Sequence, residues 1–325
     1  MEYGRIDRRT LLGGALAAGA SFWAGGALAE GEDGKFTGDT DEDRVLISNP
    51  AGKPVLRYVR QPLEGEPAPS VAGACYTHPL YTPAGTIVTE VGPKDHPHHR
   101  GVFCAWVAVD GEENGDWWGW GAKAPKEGRL MVSREARMTA EDESSATLRV
   151  INSWRADDVR VLGERVTLTV SSAPGCNVVD YEYKFTVGGR KDAVIAQNPF
   201  GGFCYRALPR GEAVVSGPDG VIDLPNSVFD RAETNWPTAK WYDLSYRSPE
   251  GVVSGVTVMD HPNNPLSTWH VVRNIHMLNP CIVAESPHTL LFGEPLYLQY
   301  RVVAHDGPAS SVDIAALYEE FVNKD

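Results

Sequence analysis

The segment VVDYEYKFTV (residues 178–187) has the regular alternation of a β-strand. From residue 179 onward, apolar or aromatic side chains alternate with polar ones, and successive side chains of a strand point to opposite faces. The core-facing set is predicted to be Val179, Tyr181, Tyr183, Phe185 and Val187. The set predicted to face solvent is Asp180, Glu182, Lys184 and Thr186. The segment therefore predicts a half-buried strand of an antiparallel sheet.

The same alternation recurs on both sides of this segment. It is present in ATLRVINSW (146–154), RVTLTV (165–170) and LYLQYRVVAH (296–305). Turn signals such as Pro174-Gly175 and Gly188-Gly189 separate the runs. Many strands at turn-punctuated spacing predict an all-β fold, a large antiparallel β-sandwich.

A single segment has helical periodicity. SSVDIAALYEEFVN (310–323) places four large apolar side chains on one face, and Ser310 with Asp313 would form a capping box. The four are Ile314, Leu317, Tyr318 and Phe321. The sandwich is therefore expected to end in a short C-terminal helix.

The N-terminus has the layout of a secretory signal. The paired Arg8-Arg9 precedes an apolar run that ends in the small residues Ala27-Leu28-Ala29, which is typical of a twin-arginine signal peptide; a membrane anchor is the alternative. We expect a signal over residues 1–29, a flexible acidic leader over 30–44 and one sandwich domain over 45–325. The protein would then be periplasmic or extracellular, with no membrane span once the signal is removed.

The formal net charge of −13 bears on the partners. Nucleic acids and anionic lipids need clustered Lys and Arg, so this acidic balance argues against both and leaves a small-molecule or oligosaccharide ligand. The five cysteines are too scattered for a CxxC metal pattern. One or two disulfides are allowed in an oxidising compartment, with at least one thiol left free, and the sequence does not choose a pairing.

Five of the nine histidines lie in two segments, GPKDHPHHRGVFCAW (92–106) and VTVMDHPNNPLSTWH (256–270). Both contain Asp-His-Pro, and proline favours an extended residue before it, as at the end of a strand. In an extended segment His96 and His98 would share one face, with His99 on the other. We expect the two segments to converge in one site. The candidate catalytic residues are Asp95, His96, His98, His99, His261 and His270.

Histidine with aspartate fits two kinds of chemistry, proton transfer near neutral pH and binding of a divalent metal, and the residues alone do not choose between them. Isolated histidines such as His78, His288 or His305 are more often structural. Arg100, Arg273, Trp236 and Trp269, with the DWWGWG segment (116–121) that contains Trp118, add anion-binding groups and flat apolar faces. Aromatic faces beside polar tips are typical of a carbohydrate cleft, although tryptophan is also common in cores.

Several motifs resemble a bacterial family of unknown function that is labelled methane oxygenase PmoA. They are PLYTPAGTIVTEVGPKDHPHHRGVFCAW, NWPTAKWYDLSYRSPEGVVSGVTVMDHPNNP, TWHVVRN and LQYRVVAHDG, which together cover about residues 75–307. The resemblance implies an exported supersandwich of the galactose-mutarotase-like kind, in sugar- and glycan-processing settings. It cannot imply methane oxidation, because that enzyme subunit spans the membrane several times.

The resemblance also implies a role for Arg206, which the chain retains as a substrate-binding candidate. Where relatives carry Lys-Glu-Gly-Gly, this chain reads QNPFGGFCYR (197–206), so Phe200 occurs near the place of a candidate acidic residue. Together these features predict an exported protein that cleaves or isomerises a glycoside or modified sugar by histidine acid/base chemistry, as a hydrolase, lyase or epimerase. A sugar-binding module without catalysis and a metalloprotein are the alternatives.

Overall fold

Antiparallel strands dominate the chain. The structure, a computed structural model, describes residues 34–66, 75–223, 238–272 and 275–324. The described residues contain sheets of nine, eight and four strands and a single α-helix near the C-terminus. The predicted all-β sandwich with a short C-terminal helix is confirmed.

The nine-stranded sheet is built around the alternating segment 178–187, which lies in the strand β11. In spatial order it consists of β15 (Gly220–Val221), β14 (Glu212–Gly217), β16 (Trp241–Arg247), β17 (Val253–Asp260), β21 (Leu296–Asp306), β11 (Cys176–Val187), β10 (Val159–Ala173), β9 (Ser145–Ala156) and β8 (Arg129–Glu141). In the middle of β11, Tyr183 pairs with Val166 of β10 and with Leu298 of β21. The other three alternating segments are strands, as predicted: β10 and β21 pair with β11, and β9 pairs with β10.

The eight-stranded sheet forms the second layer. In spatial order it consists of β1 (Thr37–Thr40), β2 (Arg44–Ser48), β3 (Pro54–Val59), β4 (Tyr76–Leu80), β5 (Val102–Ala105), β13 (Gly202–Arg206), β19 (Met277–Cys281) and β18 (Thr268–Val272). The small sheet consists of β20 (His288–Leu290), β12 (Ala193–Ile195), β6 (Val109–Asp110) and β7 (Asn114–Gly115). Interleaved aromatic rings join the two large sheets: Phe203 of β13 stacks on Tyr300 of β21 at 4.3 Å and meets Tyr181 of β11 at 5.4 Å.

Part of the predicted flexible leader is ordered. Within residues 30–44, the strand β1 pairs antiparallel with β2, and Phe36 just before it is only 2% exposed. Burial of the Phe36 ring holds this part of the leader against the sheet, although the acidic, glycine-rich composition of the leader does not predict order. The predicted signal peptide, residues 1–29, lies outside the described residues, and the rest of the domain division stays a prediction. No helix among the described residues is both long and apolar enough to cross a membrane.

The polar face of β11 departs from the prediction at Asp180, which is buried. Arg301 of β21 donates from Nε and Nη2 to the two Asp180 oxygens at 2.6 and 2.9 Å, and Lys324 donates to the same carboxylate at 2.9 Å. The alternation of the strand is intact, but the C-terminal helix covers this end of the outer face. A buried carboxylate is tolerated there because it is paired and hydrogen-bonded.

The helix α1 (Ile314–Val322) begins later than the sequence predicts. The carboxylate of Asp313 accepts a hydrogen bond from the Ala316 N–H at 3.0 Å, so Asp313 is itself the N-cap and the expected box with Ser310 does not form. The predicted apolar face is confirmed, since all four of its residues are buried.

Candidate functional site

The first histidine segment forms a tight loop between β4 and β5, here called the histidine loop (residues 92–100). The His99 N–H donates to the His96 carbonyl at 2.9 Å, and the Gly92 N–H donates to the His99 carbonyl at 2.9 Å. The segment is therefore turned and not extended, so the prediction that His99 faces away from the other two rings is wrong. The His96 and His99 rings stack at 4.7 Å, and the His98 ring meets the His99 ring edge-on at 4.8 Å.

A carboxylate orients the most exposed of these imidazoles. Asp95 Oδ2 lies 2.8 Å from His96 Nδ1, and the His96 side chain keeps 27% of its surface exposed. Burial raises the pKa of Asp95, but the hydrogen bond with His96 and the charge of Arg206 outweigh burial and hold the pKa below its usual value. Asp95 is therefore ionised at neutral pH and fixes the proton of His96 on Nδ1, which leaves Nε2 for a ligand.

Arg206 lies beneath this pair and holds it in place. Its Nη2 donates to Glu90 Oε2 at 3.1 Å and to Asp95 Oδ1 at 3.4 Å, while Nη1 donates to the Ile275 carbonyl at 2.5 Å. The Arg206 side chain is only 2% exposed. Its guanidinium is thus committed to protein groups, and Arg206 is a positioning residue, not the substrate-binding residue predicted from the sequence.

Aromatic side chains form the opposite wall. In the DWWGWG loop, the Asp116 carboxylate accepts hydrogen bonds from the Gly119 and Gly121 N–H groups at 2.7 and 2.6 Å, which fixes the loop. Phe200 then lies between Trp118 and Trp120, with both ring centroids at 5.7 Å. Phe200 therefore forms part of the aromatic wall, near the position where the sequence resemblance implies an acidic residue.

These walls enclose a pocket of about 430 Å³. The pocket-lining residues are Asp95, His96, Pro97, His98, His99, Trp118, Gly119, Trp120, Lys126, Phe200, His270, Ile275 and Met277. His270 of β18 reaches it from the second histidine segment, with its ring 5.4 Å from Phe200. The structure therefore brings five of the six candidate catalytic residues to one pocket, together with Trp118.

Three of the four pocket histidines are held neutral. Burial, followed by the charge of neighbouring His96, lowers the pKa of both His98 and His270 to about 3. Burial, with the nearby His98 and Arg206, also lowers the pKa of His99 well below its usual value. At neutral pH these rings offer one hydrogen-bond donor and one acceptor each, which suits neutral hydroxyl groups.

His261 does not join the pocket, which corrects the predicted site. Its ring meets Phe321 of α1 at 5.1 Å, and its Nδ1 accepts a hydrogen bond from the Asn263 N–H at 3.1 Å. The neighbouring Asp260 carboxylate accepts from Asn264 at 2.6 Å and also from the Ser267 hydroxyl. The second Asp-His-Pro motif is therefore a hydrogen-bonded turn beside the helix.

Two other predicted ligand-binding residues are structural. The Trp269 ring is fully buried, and its Nε1 donates to the Ala239 carbonyl at 2.9 Å. Arg100 is also buried; it donates to the Trp117 carbonyl at 2.7 Å and lies 4.9 Å above the Phe103 ring, beneath the pocket wall. The remaining two, Trp236 and Arg273, lie outside the described residues.

Sequence reasoning missed Glu90 and Lys126, and it assigned no role to Trp120. Trp120 could have been predicted, because it belongs to the aromatic-rich DWWGWG segment. Glu90 and Lys126 have no such sequence signal, because isolated charged residues are usually found on the surface. Only the fold places Glu90 beside Arg206 and Lys126 in the lining of the pocket.

The residues do not fit a metal centre well. Among the described residues, no three His, Cys, Asp or Glu side chains form a group that could hold a metal ion. His96 Nδ1 is engaged by Asp95, and His99 Nδ1 lies 3.4 Å from the cationic Arg206 Nη1. A second cation beside that guanidinium would be repelled.

The class of protein is thus an antiparallel β-sandwich with an imidazole- and aromatic-lined pocket. The chain belongs to the family described as "Family of unknown function (DUF6807)", which its residues 48–319 match. That description does not include the methane oxygenase label of the family that the motifs resemble. No curated protein sequence matches the chain.

Several solved structures are similar in fold. The α-galactosidase AgaA from Geobacillus stearothermophilus is 9% identical at a TM-score of 0.38, and the match covers 83% of this chain and 40% of that one. A galactose mutarotase related enzyme from Lactobacillus acidophilus is 8% identical at a TM-score of 0.35, with 83% and 97% covered. A galactose mutarotase-like protein from Lactobacillus casei is 10% identical at a TM-score of 0.38, with 83% and 100% covered. Identity this low carries no information on activity.

Proposed function

We propose that the protein binds a mono- or oligosaccharide in the pocket and transfers protons to or from it through His96. The observation that carries this proposal is the composition of one pocket, which is lined by the exposed Trp120 and the half-buried Phe200 together with the Asp95–His96 pair. Trp118 is fully buried and supports Phe200 from the core side of the contact. A sugar ring presents apolar C–H faces and a rim of hydroxyls, so it fits between a flat aromatic wall and a polar one.

The proposed chemistry is acid/base cleavage or isomerisation of a glycoside or modified sugar. His96 combines solvent access with a carboxylate that orients its ring, which is the arrangement of a general acid or base. The neutral rings of His98, His99 and His270 would bind sugar hydroxyls, and Lys126 at the mouth would hold a carboxylate or a developing negative charge.

A non-catalytic sugar-binding module is the second candidate. Phe200 favours it, because an apolar ring packs against His270 where relatives would carry an acidic residue. Among the residues that the structure describes, the pocket would then have one proton-transfer group and no carboxylate facing it across the ligand, whereas glycoside cleavage ordinarily uses two groups.

Export is a separate part of the proposal and rests on the sequence alone. The twin-arginine pattern at Arg8-Arg9 supports a periplasmic or extracellular protein that meets its ligand outside the cytoplasm. The resemblance to the family labelled methane oxygenase PmoA agrees with this setting but supplies no activity. Nucleic acid is not among the proposed ligands of the pocket.

A melting assay with neutral and oxidised sugars, nucleotides and divalent metal ions tests the proposal. Binding in the pocket predicts a rise in melting temperature with at least one sugar in the wild type and a smaller rise in Trp120→Ala. The control is Val221→Ala, because Val221 is an exposed apolar residue remote from the pocket. If a divalent metal ion raised the melting temperature and no sugar did, the protein would instead be a metalloprotein. Turnover of a stabilising sugar by the wild type separates the enzyme from the binding module.

A further inference from the structure

The outer face of the nine-stranded sheet carries a concentration of positive charge, here called the basic face. Two adjoining depressions of about 480 and 380 Å³ lie there over β8, β9, β10 and β11, and both are lined by Arg165 and Lys184. The cationic residues lining them are Arg134, Arg149, Arg155, Arg160, Arg165 and Lys184. Such a cluster is unexpected in a chain whose net charge is −13.

Only one of these six cations has an acidic partner among the described residues: Arg155 Nη2 lies 3.9 Å from the exposed Asp158 carboxylate. Arg165 and Lys184 are direct cross-strand neighbours, and like charges in that position destabilise a sheet. In the described part of the chain, neither forms an ion pair, and the Arg165 Nε is buried with no hydrogen-bond partner. A like-charge pair with an unsatisfied donor is the arrangement expected of a site for an anionic group.

The nearby acids do not neutralise the face. Glu182 is exposed at the edge of one depression, and Glu135 lies on the outermost strand, opposite Ile151. Glu164 belongs to the same strand as Arg165 but points into the core, where it accepts hydrogen bonds from Asn152 and Trp154. Positive charge therefore dominates the solvent side.

A glycine keeps one of the guanidinium groups on the sheet. A Cβ on Gly163 would lie 2.7 Å from Arg160 Nη2 and 2.9 Å from Thr186 Oγ1. The bare backbone at this position therefore gives the Arg160 guanidinium room to lie against the strand beside Thr186.

The geometry of the face suits a short chain of linked rings. Arg149, Arg165, Lys184 and Tyr297 lie on the consecutive strands β9, β10, β11 and β21. At a strand spacing of about 4.8 Å this row is about 14 Å long. Tyr297 is 58% exposed, with Lys184 Nζ 5.5 Å from its ring centroid, so the row ends in an aromatic platform. The helix α1 covers the neighbouring part of the outer face, through residues such as Val178 and Val303, but not this row.

We propose that the basic face binds an acidic glycan, with its carboxylate or sulfate groups on Arg149, Arg165 and Lys184 and one sugar ring on Tyr297. Guanidinium groups bind both anions through paired hydrogen bonds. A long nucleic acid is disfavoured, because its phosphates beyond the row would face an acidic molecule and because a single exposed aromatic gives little base stacking. This site is separate from the pocket, and the proposal goes beyond the function proposed for it.

Isothermal titration calorimetry tests the assignment with three probes: an oligogalacturonate, a heparin oligosaccharide and a single-stranded DNA of equal charge. We expect one of the two glycans to bind, more weakly at higher salt. Binding of the oligogalacturonate would show that carboxylates suffice, whereas binding of heparin alone would show that sulfate is required. The double variant Arg165→Gln/Lys184→Gln should weaken that binding by about tenfold or more, because two charge-assisted contacts are lost.

The matched control is Lys53→Gln/Arg247→Gln, which removes the same charge from two exposed residues elsewhere. It should leave glycan binding unchanged, and neither double variant should alter the response of the pocket to neutral sugars. Removing the like-charge pair should also leave the melting temperature equal or higher, so that weaker binding is not a folding defect. Binding of neither glycan, equal losses in both double variants, or DNA binding as tight as the better glycan would overturn the proposal.

Discussion

At the scale of single residues, the pocket separates one imidazole from three others by burial and by the partners of each ring. His96 keeps contact with solvent and has Asp95 as its hydrogen-bond partner, whereas burial holds His98, His99 and His270 neutral. Four side chains of one chemical type therefore have two different capacities, proton transfer and hydroxyl recognition.

His96→Ala should remove most of the catalytic activity and little of the binding. Loss of a general acid or base costs about 10²-fold to 10⁴-fold in rate, so kcat on a stabilising sugar should fall by that amount while its effect on the melting temperature persists. Asp95→Asn should lower kcat less, because it changes the hydrogen-bond partner of His96 Nδ1 and leaves the ring in place. His288→Ala, remote from the pocket in β20, is the control. Full activity of His96→Ala would assign the chemistry to another group.

Tyr183→Ala and His98→Ala should separate stability from function. The Tyr183 ring is stacked on Phe185 at 5.6 Å and meets Phe203 of the other sheet at 6.2 Å, so its loss should cost about 3–5 kcal/mol of unfolding free energy. His98 belongs to the pocket wall and supports little packing, so His98→Ala should cost about 1 kcal/mol or less while sugar binding is lost. Urea denaturation measures both. Equal destabilisation by the two changes would make His98 a structural residue.

At the scale of elements, the helix α1 is attached to the sheet by a buried charge network as well as by its apolar face. Arg301 of β21 joins Asp180 of β11 to the helix, since Nη1 donates to the Leu317 carbonyl at 2.8 Å and Nη2 to Glu320 at 3.1 Å. One guanidinium thus links two strands and the helix.

Arg301→Ala should therefore destabilise the protein by about 3–5 kcal/mol, because it leaves the Asp180 carboxylate buried and short of partners. Adding Asp180→Ala should recover part of this loss, since the unpaired charge is then gone. Chemical denaturation of the two single variants and the double variant gives the coupling free energy. Strictly additive losses would show that the pair is not coupled.

The alternation of β11 and the apolar face of α1 could be predicted because each depends only on local periodicity. The burial of Asp180 could not, because its partner Arg301 is 121 positions away in the chain. The histidine loop was predicted to matter, but not its shape, since the hydrogen bond between His96 and His99 that closes it has no sequence signature. His261 and His270 shared one segment, and only the path of β17 and β18 sends them to different places.

At the scale of the whole molecule, a second histidine–carboxylate pair, which is buried, affects how stability depends on pH. His305 and Asp243 are both fully buried; Nε2 and Oδ2 are 2.7 Å apart, and His305 Nδ1 lies 3.1 Å from the Gly307 carbonyl. Both ring nitrogens face acceptors, an arrangement that favours the doubly protonated, cationic ring. Ser245 and Thr257 complete the shell by donating to the same carboxylate.

His305→Gln should reduce stability mainly at acidic and neutral pH. Burial lowers the pKa of His305, but the hydrogen bond and charge of Asp243 outweigh it, so the folded-state pKa lies above the ordinary value of 6.5. A raised pKa means that the folded state holds the proton more tightly, so this stabilisation is complete below pH 6.5 and disappears as pH rises through the folded-state pKa. The difference in unfolding free energy between wild type and His305→Gln, measured from pH 5 to pH 10, should therefore be largest at the acidic end and shrink toward the alkaline end. Histidines whose pKa is lowered, such as His98 and His270, are present in both proteins, so their contribution to the unfolding free energy cancels in this difference. A difference that grows with pH would mean that His305 is neutral in the fold.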